Sequence, residues 1–163
     1  MPTDEPLFPL DDPWCGYATT VVEVTGPRPD DTVIVAAAPT GEVGRWPWAA
    51  LDVIYVLTAW DPGERRFSED VNRRRQAKLE EELRPLARCM WSARGYDAAS
   101  AYRDEGVAVS GAREADVLAA GARFGQDAVF AWTATEWTIV GCTGGRRLPL
   151  GWRIVDLPLL RQT

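Results

Sequence analysis

The sequence predicts a single α+β domain, a mixed or antiparallel sheet packed with two main helices, and three observations carry that prediction. The chain has 163 residues, 46% of them hydrophobic and 26% charged, the size and balance of one domain with its own core. Short apolar runs bounded by Gly, Pro, Asn or Asp recur along it, as strands do. Two longer segments carry helix start and stop signals. Strands outnumber helices without alternating regularly with them, which favours α+β over a doubly wound fold.

Residues 1–16 are rich in proline and acid and read as an extended arm, leaving 17–160 as the domain. "YATTVVEVTGPRPDDTVIVAAAPTG" predicts strands over about 17–25 and 32–38, joined by a Gly-Pro-Arg-Pro-Asp-Asp turn. "GEVGRWPW" is a loop. "LDVIYVLTAW" has apolar side chains at both phases of a strand, the mark of a strand covered on both faces. Ser68, followed by Glu69 and Asp70, predicts a helix N-cap with acids in the first turn. Pro85 lacks the backbone donor that would continue the helix and should end it near Arg84. No element is assigned between Pro85 and Tyr102. "GVAVSG" is a short strand, and "AREADVLAAGARFG" a second helix, capped by Ser110 and stopped by Gly125. "DAVFAW" and "EWTIVGCT" form a hairpin, and "GGRRLP" turns the chain into a last strand, "LGWRIVDL".

Composition narrows the chemistry. The chain has no histidine and a single lysine, Lys78. Ser-His-Asp and Cys-His arrangements are thereby excluded. Cys15, Cys89 and Cys142 are odd in number and far apart, which suits reduced thiols in the cytoplasm and makes no zinc set. No phosphate-cradling loop precedes a Lys-Ser or Lys-Thr pair, and no cofactor is expected. No D-x-D-x-D-G loop appears either, which leaves a carboxylate-only magnesium or calcium site open but no metal expected. The net charge of −6 argues against nucleic acid as a partner. No run of eighteen apolar residues is present, so no membrane span is expected.

Polar residues gather around one stretch. With about 100° per residue, Gln76 lies about 40°, Leu79 about −20°, Leu83 about 20° and Arg75 about −60° from Asn72. Asn72 and Gln76, with Arg75 beside them, therefore continue the apolar stripe of the helix into the interior, where polar groups need partners. The natural partners are the strand end Thr58-Ala59-Trp60-Asp61-Pro62-Gly63 and a ligand held there. Glu105 stands at the mouth of a short strand. Gln126 and Asp127 lie between a helix stop and a buried strand.

The segments "VLTAWDPG", "SEDVNRRRQAKL", "YRDEGVAV" and "FGQDAVFAW" resemble, in this order and spacing, the bacterial family called domain of unknown function 3293, over roughly residues 14–155. The resemblance implies that Asp61-Pro62 stands where the family has Asn-Pro and that Asn72 matches a family asparagine. It also implies that Tyr102, Arg103, Asp104 and Glu105 match a His-x-x-Glu-like element, and that Gln126, Asp127 and Ala128 match a Gln-Asp/Asn-Ala element. Asp61 and Tyr102 depart from that pattern. If the family's histidine carries a proton, this chain either uses Tyr102 or has lost the step. The family brings a site but no reaction.

Two functions follow as expectations. The first is an enzyme acting on a small polar or anionic molecule in a cleft formed by segments 58–76, 102–105 and 126–127. Glu105 or Asp61 would be its acid/base and Tyr102 its proton relay; Asn72, Arg75, Gln126, Asp127 and Trp60 would hold the substrate. The second is a non-catalytic small-molecule-binding or protein-interaction module using the same cleft.

Overall fold

The computed structural model describes residues 12, 14–26, 31–48, 50–62, 65–97 and 103–156. Most of the expected arm, Gly63 and Tyr102 lie outside the described residues. The sheet does not stay open. Eight strands, β1 (Thr20–Val24), β2 (Val33–Ala38), β3 (Val53–Leu57), β4 (Cys89–Asp97), β5 (Arg103–Ser110), β6 (Ala128–Thr133), β7 (Trp137–Gly141) and β8 (Arg147–Ile154), close into a barrel in the order β1-β2-β8-β7-β6-β3-β5-β4. Every neighbouring pair is antiparallel.

This corrects the predicted α+β sheet. The closing element is β4, in the stretch left unassigned, which pairs with β1 along Thr20↔Asp97 to Val24↔Ala93 and with β5 along Cys89↔Ser110 to Tyr96↔Arg103. Closure removes the exposed edges that an open sheet of these strands would present. Its interior is mainly apolar, with polar side chains at one end, while Glu23, Arg94 and Glu105 lie in cross-strand register on its outer face. That polarity is the reverse of a barrel facing lipid.

Two helices form near the predicted places and pack on the outside. Helix α2 (Glu69–Leu83) starts at Ser68, whose side chain accepts from the Val71 amide, and its last turn leads into Pro85. Helix α3 (Glu114–Arg123) starts at Arg113 without a side-chain cap. The expected cap, Ser110, is instead buried at the end of β5, and the chain stops at Gly125 with φ 76°. Leu79, Leu83, Val117 and Ala120 press on the outer face of Tyr55, Leu57, Val107, Val109, Val129 and Ala131. β3 and β6 are thus covered on both sides, as the "LDVIYVLTAW" pattern predicts for β3. A short helix, α1 (Cys15–Thr19), occupies the junction expected to be arm and strand.

Interior volume is distributed unevenly along the barrel. At one end, the floor, Trp91, Trp132, Trp137 and Trp152 project inward and Trp46 and Trp48 pack onto them. Ring centroids of Trp46, Trp48 and Trp152 lie 5.1, 5.2 and 5.2 Å from that of Trp132. At the other end, the mouth, β4 and β5 turn small residues inward: Ala93 faces Gly106 and Gly95 faces Asp104 across the strand pair. A small eight-stranded barrel is filled by its own side chains or holds one small ligand; here the floor is filled and the mouth is not.

Candidate functional site

The strand end after β3 is held almost entirely by side chains. Ala59 donates its amide to Gln76 Oε1 at 2.8 Å and its carbonyl accepts from Arg75 Nε at 3.0 Å. The Trp60 amide donates to Thr58 Oγ1 at 3.0 Å, and its carbonyl accepts from Gln126 Nε2 at 3.2 Å. Asp61 donates its amide to Asn72 Oδ1 at 3.0 Å, while Asn72 Nδ2 returns a bond to Asp61 Oδ1 at 2.9 Å. The same Oδ1 accepts from the Phe67 amide at 2.8 Å, closing the loop between strand and helix. Thr58 Oγ1 in turn donates to the carbonyl of Glu105.

This network exists because the loop passes beneath a helix face. Ala59 is 0% exposed, Asn72 2% and Gln76 4%, and a buried backbone group left without a partner costs about 1–3 kcal/mol. The helical arithmetic put Asn72 and Gln76 on the inner stripe, and the loop backbone is what they meet there. Asp61 adopts φ 38°, a left-handed conformation that Asn and Asp tolerate best among residues with a side chain.

Arg75 is engaged twice, donating to the carbonyls of Ala59 and Phe124. Its guanidinium also lies between the rings of Phe67 and Phe124, 5.4 and 5.7 Å from their centroids. Asn72, Arg75, Gln126, Asp61 and Trp60 therefore do come together, around the backbone of residues 58–61. Gln76 Nε2 is the one donor of this set buried without a partner.

Beneath the loop, at the barrel mouth, lies a half-open cavity with an empty volume of about 400 Å³, counting space open to solvent. Tyr17, Val22, Val56, Ala93, Ala128 and Phe130 give it apolar walls; Thr58, Asp104 and Gln126 add polar atoms. Strand phase decides which acid faces it. Gly106 and Ala108 point into the barrel and Val107 and Val109 toward the helices, so Asp104 takes the inward phase and lines the cavity. Glu105 takes the outward phase, opposite Arg94 in register. Only its carbonyl, through Thr58, touches the loop network.

Two glycines make the room. A Cβ at Gly95 would lie 3.4 Å from Thr20 Cγ2 and 3.9 Å from Asp104 Cβ, in ordinary contact. A Cβ at Gly106 would lie 2.9 Å from the Leu57 carbonyl oxygen, closer than backbone allows.

Two titratable groups near the cavity, Tyr17 and Cys142, are held protonated. Burial, reinforced by the negative charge of Asp127, pushes the Tyr17 phenol up to about 12. The same two causes push the Cys142 thiol up to about 11. Asp127 itself is exposed, and its carbonyl accepts from the Cys142 amide at 2.9 Å. Among the described residues no group of three His, Cys, Asp or Glu comes together to hold a metal ion.

The sequence reasoning placed Thr58 and Asp104 within the cleft segments without giving either a role, and it missed Tyr17. A readable signal existed for Asp104: Asp104-x-Gly106-x-Ala108 alternates small and polar residues against Val107 and Val109, a pattern of two differently filled faces. Val107 and Val109 by themselves mark one buried face, from which Asp104 points away; a barrel has a second, interior face.

Fold and site together define a small antiparallel barrel with helices packed on one flank and a cavity beneath a side-chain-anchored loop. The model of the family described as "Protein of unknown function (DUF3293)" matches residues 57–129, and this stretch of the chain is similar to that family. The matched segment holds the 58–61 loop, its anchors on α2, and the cavity residues from Thr58 to Ala128. No curated protein matches the chain.

Proposed function

We propose that the protein is a small-molecule-binding barrel whose ligand enters the mouth and sits in the cavity lined by Tyr17, Thr58, Asp104, Gln126 and Phe130. The observation that carries this reading is the uneven filling of the interior: indoles pack the floor, while Ala93, Gly95 and Gly106 leave space beside a carboxylate at the mouth. Mostly apolar walls with a few converging polar groups are the usual composition of a ligand site.

The way the polar groups are engaged favours binding over acid/base catalysis. Asn72, Gln76, Arg75 and Gln126 all hold backbone. Tyr17 keeps its proton far above neutral pH. An enzyme in this cleft would draw its proton carrier from Asp104 or from Tyr102 of the family element. A cytoplasmic setting accompanies the proposal, supported by three cysteines that are all free thiols. No described helix is long and apolar enough to cross a membrane.

The test is affinity selection. Wild type and Gly95→Ala would be incubated with a bacterial metabolite extract, passed over a sizing column, and the retained compounds identified by mass spectrometry. The proposal expects a compound retained by wild type and lost from Gly95→Ala, with matching melting curves. Equal retention by both proteins, or none by wild type, would refute it. A retained compound that returns chemically changed would move the reading to catalysis.

A further inference from the structure

The cavity's charge and shape carry the assignment one step further, to a class of ligand; the step rests on the binding reading above. We infer that the barrel mouth selects a compact organic ammonium: a protonated amine on an apolar body of about one ring or a short chain.

Two charged residues line the cavity, Arg94 and Asp104. Arg94 lies between Ala93 and Gly95, both of which face inward, so its side chain takes the outer phase. There it stands in register between Glu23 and Glu105 and interacts with the hydroxyl of Tyr96. Arg94 therefore offers the cavity main chain, and Asp104 is the charged side chain among the lining residues that faces inward. Its two oxygens have about four acceptor positions, so a bond made to Asp104 from elsewhere leaves capacity for a ligand.

The surroundings suit a cation more than an anion or a neutral molecule. Tyr17 and Phe130 meet edge to face with centroids 6.0 Å apart, and their ring faces attract an ammonium through the aromatic quadrupole. Asp127 lies close enough to Tyr17 to raise its pKa and adds negative potential at the rim. Arg75, the anion contact expected from the sequence, is engaged by the Ala59 and Phe124 carbonyls. The net charge of −6 draws cations toward the protein over longer distances. The volume of about 400 Å³ counts space open to solvent, so the enclosed part is smaller still, which sets the limit of one ring or a short chain.

Three probes of matched shape test the charge: 2-phenylethylammonium, its neutral N-acetyl derivative, and 3-phenylpropionate. Each would be titrated into the full chain while amide shifts are followed by NMR, with Asp104→Asn as the paired variant. The inference expects the ammonium to shift Gly95, Asp104, Gly106 and Ala128 with saturation, at least tenfold tighter than the neutral and anionic probes. It also expects Asp104→Asn to abolish that preference while remaining folded by its own spectrum. Equal or tighter binding of the neutral or anionic probe at the same residues would overturn the ammonium assignment and leave the binding site standing. No saturable shift at these residues from any probe would overturn the assignment as well, and the metabolite selection with Gly95→Ala would then decide the binding reading on its own.

Discussion

Asn72 and Asp61 hold each other by two hydrogen bonds, the Asp61 amide to Asn72 Oδ1 at 3.0 Å and Asn72 Nδ2 to Asp61 Oδ1 at 2.9 Å. One residue lies on the buried face of α2, and the other ends the β3 extension in a left-handed conformation. Their pairing fixes the loop that carries Thr58 over the cavity, so the helix stripe and the barrel mouth are mechanically one unit.

Removing the amide should therefore destabilise the fold. Asn72→Ala leaves the Asp61 amide without its acceptor and is expected to cost about 2–3 kcal/mol. Asp61→Asn should cost less than about 1 kcal/mol, because asparagine accepts the same bonds and tolerates φ 38°. Urea denaturation of the two variants measures both. A wild-type midpoint for Asn72→Ala would show that the pairing is incidental.

The two cavity glycines should respond oppositely to a methyl group. Gly106→Ala places Cβ 2.9 Å from the Leu57 carbonyl oxygen and must push β3 and β5 apart, with an expected loss of about 2 kcal/mol or more. Gly95→Ala meets only side-chain carbons at 3.4 and 3.9 Å and should melt within a few degrees of wild type. Equal melting temperatures for the two would mean that the wall beside Leu57 is soft.

Tyr17 should make stability fall in strong base. Its phenol titrates near 10 in the unfolded chain and at about 12 in the fold, so between these values the folded state holds more protons. Raising the pH there favours unfolding, with a slope of up to about 1.4 kcal/mol per pH unit. The contribution is complete below the unfolded value and lost as pH rises through the folded one. Tyr17→Phe has no proton to lose, so the stability difference between wild type and variant should shrink from pH 10 upward. Tyr55 and Tyr96, also shifted upward, are present in both proteins and cancel. A difference independent of pH would contradict the burial of the phenol.

Neighbouring acids on β5 should behave differently toward a ligand. Glu105→Gln changes the outer face, opposite Arg94, and should leave binding at the mouth within twofold of wild type. Asp104→Asn should weaken it at least tenfold. Calorimetry with a compound recovered by affinity selection compares them directly, and the reverse order would return the site to Glu105.

The elements legible in the sequence were those with strong local signals. Ser68 capped the helix, Pro85 followed its end, and the doubly apolar "LDVIYVLTAW" became a strand covered on both faces. The stripe of Asn72 and Gln76 correctly indicated that polar groups are buried beside the strand end. What the sequence concealed was closure. In "CMWSARGYD" the inward positions beyond Trp91 are Ala93 and Gly95, too small to give a hydrophobic alternation, so β4 carried no strand signal and the sheet stayed open in the prediction. Without the barrel there was no interior face for Asp104 and no reason to single out Tyr17 from α1. Long-range pairing made the cavity, and local pattern does not report it.

A crystal structure of the protein loaded with the compound recovered from metabolite extract tests the central claim most directly. The account predicts continuous density inside the barrel mouth, bounded by Tyr17, Gly95, Gly106 and Phe130, with a polar atom of the ligand within hydrogen-bond distance of an Asp104 carboxylate oxygen. Density against the Trp46 and Trp48 floor, or on the outer face beside Glu105, with the mouth cavity holding only water, would contradict it.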